Sequence, residues 1–426
     1  MRQEAYFCTI EELNSLGKEN IPQQLISHTH LIYSSPATLA FNSPGAEGFG
    51  VKRAGLAVPG SIMLIVAPGC CGRNTSVLSS MRAYHDRFYY LLMDETDIVT
   101  GRHLKKIPKA VAEICEGLEK KPSVVMICIT CVDALLGTDM ERVCRKAEEV
   151  AGLPVKPCYM YALTREGRKP PMVHVRQSIY SLLEPKKKKG NVVNLLGYFS
   201  PLVDDCELYD LLHDAGVKTI HEISRCKDYA EYQTMSEANF NLVLHPEARF
   251  VAEEFHDRLK IPYIELRRLY QIDKIASQYR AFGAALGVTF DDEKPRRAAE
   301  NAVAKFKEKH PEASFAVGEW MNGDSFELAL ALVRYGFRVP EIYGTLSGEN
   351  FIYVKQLAAL SPETKVFSNL EPTMLYYDGT DSGVTLTIGK DAGYYHKNCP
   401  NVLWNGERQP YGYAGVRRLF EALAEV

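Results

Sequence analysis

Eleven cysteines stand at positions 8, 70, 71, 115, 128, 131, 144, 158, 206, 226 and 399. The N-terminal run MRQEAYFCTIEELNSLG has no apolar segment of the secretory kind, so these residues are read as thiols in a reducing compartment. A thiol there is a buried small hydrophobe by default, and otherwise a metal ligand or a redox group. Two stand apart. Cys71 lies in Ala67-Pro68-Gly69-Cys70-Cys71-Gly72-Arg73, and Cys131 opens Cys131-Val132-Asp133-Ala134-Leu135-Leu136-Gly137-Thr138-Asp139. Each follows an apolar run of strand length. Glycines beside Cys71 allow close backbone approach and leave amides to point at an inorganic group. Thiolates are the usual ligands of iron–sulfur clusters. No CxxC or ferredoxin-type run occurs, so on spacing alone a metal site and ordinary loop thiols both stay open.

The elements that must position these residues follow a regular pattern. Short apolar runs end in Gly, Ser, Thr or Cys, and amphipathic segments follow them. Strands are expected in SIMLIVAPG, PSVVMICIT, NVVNLLGYF, KTIHEI, FNLVLHP, IPYIEL, ASFAVGE and RVPEIYG. Helical spacing covers 102–121, 137–152, 204–216, EARFVAEEFHDRLK, DSFELALALVRYG and most of 270–310. Strands alternating with helices imply an α/β protein with parallel sheets. Three Rossmann-like α/β domains are expected, at 1–188, 189–305 and 306–426. Sites in such sheets gather at the carboxyl ends of strands. Five loops are therefore of interest, those after Ala67, Thr130, Gly197, Leu244 and Gly318. Cys115 and Cys144 fall in helices and Cys128 in a strand, which makes them core thiols.

Bulk properties narrow the function classes. A net charge of −3 and a pI near 6.4 give no support for nucleic-acid or membrane-surface binding. No apolar run approaches the ~20 residues of a membrane span, so a soluble cytoplasmic protein is expected. The basic run Lys186 to Lys189 reads as a solvated linker. Neither GxGxxG nor GxxxxGK[ST] occurs, so nucleotide hydrolysis would belong to a partner.

A family resemblance emerges when the motifs are taken together. Cys70-Cys71-Gly72 after Pro68 resembles the Gly-Pro-x-Gly-Cys-Gly cluster loop of nitrogenase component 1 proteins. Asp97-Ile98-Val99-Thr100-Gly101 with Lys105 and Lys106 resembles their Asp-Ile-Val-Phe-Gly-Gly…Lys-Lys segment. Thr130-Cys131…Leu136-Gly137-Thr138-Asp139 is similar to their third-cysteine motif. Asn241-Leu242-Val243-Leu244-His245 falls on Asn-Leu-Val-His-Cys, and Ile261-Pro262-Tyr263 on the Gly-Ile-Pro segment beyond. Pro410-Tyr411-Gly412-Tyr413-Ala414-Gly415 resembles Pro-Tyr-His-Gly-Tyr-Asp-Gly. The matches run in order over nearly the whole chain.

The resemblance implies a three-domain subunit that pairs with a related component 1 subunit, as a homodimer or a heterotetramer. It also implies an ATP-hydrolysing iron protein as electron donor. Cys71 and Cys131 would bind the intersubunit cluster, with Cys70 as an alternative ligand. The family's first cluster cysteine falls in Phe41-Asn42-Ser43-Pro44-Gly45-Ala46, where Ser43 offers only an oxygen ligand or a turn hydroxyl. Two thiolates from each of two subunits suit one shared [4Fe-4S] cluster. His245 replaces the cysteine that anchors the nitrogenase cofactor, which disfavours nitrogen fixation. It would act as a proton donor or a ligand, or else as a structural histidine. A second metallocofactor or a tetrapyrrole stays open. Arg73 would face the cluster or the partner, or else make a surface ion pair. Glu319 and Trp320 would line the substrate cavity, with His396 and Cys399 on its far wall or in loop packing. The expected function is a nitrogenase-like reductase subunit; the alternatives are a scaffold for metallocofactor assembly and a metal-free α/β binding protein.

Overall fold

The computed structural model describes residues 4–26, 50–69, 79–160 and 169–426. The strands in its first half are β1 (Cys8–Thr9), β2 (Ile62–Ala67), β3 (Phe88–Leu92), β4 (Val125–Ile129), β5 (Val155–Tyr159), β6 (Val192–Leu196) and β7 (Thr219–His221). Those in its second half are β8 (Phe240–Val243), β9 (Tyr263–Glu265), β10 (Ser314–Val317), β11 (Arg338–Tyr343), β12 (Lys365–Phe367), β13 (Leu386–Ile388) and β14 (Asn401–Val402). They form three sheets, ordered β3-β2-β4-β5, β7-β6-β8-β9 and β1-β12-β11-β10-β13-β14. Pairing between these strands is parallel throughout, except where β1 adds antiparallel to β12. The expected α/β class with parallel sheets is what the chain adopts.

Each sheet reverses its direction of growth once. The chain leaves β2 for β3 on one side and then places β4 and β5 on the other, so the first switch point lies between β2 and β4. The second lies between β6 and β8, and the third between β10 and β13. At a switch point the crossovers leave in opposite directions and open a crevice at the carboxyl ends of the two strands.

The chain divides into two compact units. One contains Pro201–Gly216 and Arg267–Val426 together with the N-terminal residues; the other contains Val217–Leu266 and the residues from 43 to 200. The first two sheets lie in the second of these units. Alternation along its central strands explains the core. Ile62, Leu64, Val66, Val125 and Ile127 pack against the helices His103–Gly117 and Met140–Ala151. Met63, Ile65, Met126 and Cys128 face the other way, in one cluster with the helix Pro171–Tyr180 and with Leu196 and Val243 of the second sheet. Both faces of β2 are thus covered, and its six residues are all buried. That is why it reads as an unbroken apolar run rather than an alternating one. Each such side chain contributes about 1.5–3 kcal/mol on burial.

Several elements differ from the expectation. The stretch 270–310 is two helices, Ile272–Leu286 and Glu293–Lys309, divided at Gly287. EARFVAEEFHDRLK winds more loosely towards its end, with a π-helical turn over Phe255–Leu259. Strands β12, β13 and β14 have only two or three residues, too few to show a period. The basic run is exposed at Lys186, Lys187 and Lys189, as expected, and half-buried at Lys188. Lys188 Nζ donates to Ser236 O at 2.6 Å, and Lys189 pairs with Glu237.

In the other unit, Glu327 makes a buried turn depend on pH. Its carboxylate accepts the N–H of Tyr270 at 2.9 Å and Gln271 Nε2 at 3.0 Å. Burial nevertheless lifts its pKa to about 7. Between the ordinary glutamate value of 4.5 and this value, the folded chain holds a proton that the unfolded chain has lost. The associated stability is therefore full below that window and falls as pH rises through it. Denaturant unfolding against pH should show a loss on the order of 3 kcal/mol across this window. Glu327→Gln should flatten that slope, and an unchanged slope would refute the assignment.

Candidate functional site

The first switch point carries the thiols. Register pairs Val66 with Ile129, so β2 and β4 end side by side. β2 continues through Pro68 and Gly69 toward Cys70 and Cys71; β4 continues through Thr130 into the helix Cys131–Leu136. Cys131 is thus the first residue of that helix. Cys70, Cys71, Arg73 and Ser43 lie outside the described residues.

Beneath Cys131 sits a buried polar network that the sequence did not announce. His103 Nε2 lies 2.9 Å from Asp133 Oδ1, which also accepts the Thr138 hydroxyl at 3.1 Å. His103 Nδ1 lies 3.0 Å from Asp97 O, so the ring links the helix after Cys131 to the Asp97 segment. Lys106 at 2.7 Å and Arg102 at 2.8 Å hold the Asp97 carboxyl well below the usual carboxylate range. Asp97 also forms a capping box with Asp94. The Asp97–Lys106 part of the family motif is therefore a structural ion-pair knot. Its spacing was visible, but its partner Asp133 was not, because thirty positions separate Asp133 from His103.

Two atoms at this switch point are buried without a hydrogen-bond partner among the described residues, Thr130 Oγ1 and Asp133 Oδ2. A lone hydroxyl at the strand end suits a sulfide or thiolate acceptor, which fits an iron–sulfur cluster held by Cys71 and Cys131. Asp133 Oδ2 requires a donor, such as an ordered water. The core thiols behave differently. Cys115, Cys128 and Cys144 are all buried, and burial pushes the Cys144 thiol up to about 12, leaving it protonated. Among the described residues no group of three His, Cys, Asp or Glu side chains is placed to hold a metal ion.

The second switch point carries His245. β6 ends at Leu196 and turns at Gly197, while β8 ends at Val243 and runs through Leu244 to His245. A Cβ on Gly197, whose φ is 145°, would sit 2.8 Å from His245 N. Only glycine lets the two strand ends approach so closely. The His245 ring packs edge-on to Tyr198 at 5.7 Å. Its Nδ1 accepts the Glu247 N–H at 3.3 Å. Arg176, buried in the helix Pro171–Tyr180, reaches Glu247 Oε2 at 3.2 Å and lies 4.4 Å over the Phe199 ring. Glu247 was within reach of a sequence reading, two residues from His245. Arg176 was not, because only the packing of its helix against the Pro246–Ala248 turn and the helix Arg249–Glu254 brings it there.

The third switch point holds an acid pair in the other unit. The backbone N–H groups of Glu319 and Trp320 donate to Asp391 at 2.8 and 3.1 Å. Asn369 Nδ2 bonds to Asp391 Oδ2 at 2.7 Å and reaches Glu319 Oε2 at 3.4 Å. Burial raises the pKa of both carboxyls. His396 proves to be loop packing. Its Nε2 lies 2.8 Å from Glu341 Oε2 and 3.0 Å from the Tyr377 hydroxyl, and the imidazole is buried. The Cys399 thiol donates to Val384 O at 3.4 Å.

Comparison with known proteins shows the family and the fold. The chain aligns at 27% identity over 232 residues with the nitrogenase iron-molybdenum cofactor biosynthesis protein NifE of a Nostoc species, covering 53% of this chain and 48% of that protein. The NifE of Mesorhizobium japonicum aligns at 26% identity over 64% of this chain and 53% of its own length. The chain thus spans about half the length of the curated relatives it matches. The solved structure of nitrogenase Cp1 at pH 6.5 superposes with a TM-score of 0.70 at 16% identity, covering 97% of this chain and 95% of that one. No helix among the described residues is long and apolar enough to cross a membrane. A family described as nitrogenase component 1 type oxidoreductase matches residues 47–426, and the chain belongs to it.

Proposed function

We propose that this chain is a subunit of a nitrogenase-like component 1 complex that serves as a scaffold for a metal–sulfur cofactor. The observation that supports the reading is that Cys131 opens a helix at the carboxyl end of β4, next to the end of β2, in a chain of this family. The names of the curated relatives, cofactor biosynthesis proteins, favour a scaffold over a turnover enzyme. In this reading Cys71 and Cys131, with a matching pair from a related subunit, hold a [4Fe-4S] cluster. Cys70 is the substitute thiol and Ser43 an oxygen ligand at the missing cysteine position. When bound, the cluster supplies one-electron transfer from an ATP-hydrolysing iron protein. The chain's own residues would support it: the Thr130 hydroxyl, buried without a partner among the described residues, would be the donor to a cluster sulfur, and Asp133 with His103 anchors the helix that starts at Cys131. Domain boundaries near 188 and 305 and a reducing, cytoplasmic setting belong to the same proposal.

A reductase acting on an organic substrate is the second reading, favoured by the histidine at position 245 in place of an anchoring thiol. Purifying the complex anaerobically with its iron protein and ATP separates the two. Transfer of a cofactor to an acceptor apoprotein without substrate turnover supports the scaffold. ATP-dependent substrate reduction with no transfer overturns it in favour of the reductase. Colourless, iron-free protein would dismiss both.

A further inference from the structure

Strand register gathers four sulfur-bearing side chains on one face of the first sheet. Parallel pairing sets Met63 of β2 beside Met126 of β4, and Cys128 of β4 beside Cys158 of β5. Met126 and Cys128 stand two positions apart on one strand, so both side chains leave it on the same side. All four are fully buried in one core cluster. Three of them converge on Gly55 in the short helix Val51–Gly55. A Cβ placed there would meet Met63 Cε at 2.8 Å, Cys158 Sγ at 3.1 Å and Met126 Cε at 3.7 Å. The two thiols share a hydrogen bond, which holds Cys128 below the ordinary thiol value while Cys158 keeps its proton. Lys52, buried in the same short helix, adds a positive charge that favours the thiolate form of both.

Methionine and cysteine also serve as plain core filler. Two properties of this group go beyond filling. The first is spacing: neighbouring strands stand about 4.7–4.9 Å apart, wider than the ~3.8 Å between Cβ atoms that a disulfide prefers. The same spacing suits two thiolates on opposite sides of one metal ion, whose sulfurs lie about twice a ~2.3 Å metal–sulfur bond apart. The second is charge. Two thiolates and a monovalent cation together carry a single negative charge, which Lys52 offsets in an interior where a net charge is costly. Thiolate and thioether donors together select Cu(I).

We propose that Cys128 and Cys158 form a two-coordinate site for Cu(I), with the thioethers of Met126 and Met63 beside it as further soft donors. On binding, each thiol gives up its proton, so one Cu(I) enters and two protons leave to solvent. The site uses none of the thiols assigned to the iron–sulfur cluster.

The test uses the full chain carrying Cys70→Ala, Cys71→Ala and Cys131→Ala, so that the cluster thiols cannot take up the probe. Cu(I) is offered anaerobically from its bathocuproine disulfonate complex. The expected result is one Cu(I) retained per chain, with a first shell of sulfur alone in X-ray absorption. Adding Cys128→Ala or Cys158→Ala should abolish retention, and adding Cys144→Ala should not. Met126→Leu keeps the volume and removes the thioether, and it should weaken retention against the chelator by about tenfold. No retained copper, nitrogen or oxygen in the first shell, or equal retention after Cys128→Ala would each overturn the proposal. Equal affinity in Met126→Leu would overturn the part given to the thioethers. Hydrogen exchange locates the ion even where a cysteine variant does not fold: bound Cu(I) should slow amide exchange in β4 and β5. Slowing elsewhere, with β4 and β5 unchanged, would refute the site. Iron content of the wild-type complex tests the cluster separately, so either assignment can fail alone.

Discussion

Replacing Cys131 with alanine is expected to lower the iron and acid-labile sulfide of the anaerobically purified complex by about tenfold or more. The far-UV circular dichroism should not change, because the helix Cys131–Leu136 is held from its other side by Asp133 and His103. Cys144→Ala is the informative contrast. That thiol is buried on the helix Met140–Ala151 with its pKa raised to about 12, so it neither ligates nor reacts. Its loss should cost about 1 kcal/mol of stability and no iron. Equal iron in Cys131→Ala and wild type would sink the cluster assignment, whatever the family. Thr130→Val tests the supporting hydroxyl in the same preparation. It should retain the iron while shifting the cluster's reduction potential downward, since a hydrogen bond to sulfur stabilises the reduced, more negative state.

The largest loss of stability is expected from Gly412→Ala. The helix Gly412–Ala424 begins with buried backbone donors that have no partner within the helix, and Glu207 satisfies two of them: Tyr413 N at 2.6 Å and Ala414 N at 3.0 Å. The Tyr279 hydroxyl donates to the same carboxylate at 2.8 Å. Burial raises the pKa of Glu207, so these bonds are what keep a charged form tolerable. A Cβ on Gly412 would meet Glu207 Oε1 at 1.9 Å and the Tyr279 hydroxyl at 2.3 Å. The backbone there has φ 58°, which an L-residue adopts at a cost of about 1 kcal/mol. Displacing a buried carboxylate from its donors adds about 2–3 kcal/mol. A total destabilisation of roughly 3–4 kcal/mol should appear as a lower denaturant midpoint at unchanged slope. A shift below about 1 kcal/mol would mean that the carboxylate finds room elsewhere.

This second case also explains a motif. Pro410-Tyr411-Gly412-Tyr413-Ala414-Gly415 was legible as a family signature, yet nothing in the string suggests a carboxylate two hundred positions earlier. The glycine is required by Glu207, and the pairing exists only once Pro201–Gly216 packs with the C-terminal helix. The basic run at 186–189 teaches the same lesson. Four lysines in a row read as solvated, and Lys186, Lys187 and Lys189 are exposed; what the string does not show is that Lys188 reaches Ser236 O. The polar stretch 270–310 kept helical spacing across a break that Gly287 and the residues after it impose.

By itself the sequence determined the α/β class, the parallel sheets and the strand ends that matter. Unbroken apolar runs such as Ile62–Ala67 are buried on both faces and cannot hide their nature. It also singled out Cys71 and Cys131 as candidate thiols, through their place in the run of family motifs and not through spacing alone. Tertiary structure alone decided that β2 and β4, and likewise β6 and β8, are neighbours across switch points. That adjacency places Cys131 beside the end of β2 and His245 against Gly197. It also supplied the partners that set each group's chemistry: His103 for Asp133, Arg176 for Glu247 and Glu207 for the helix at Gly412. Local periodicity encodes which face of an element is buried. It does not encode which distant side chain completes a hydrogen bond there, since that depends on the packing of whole elements.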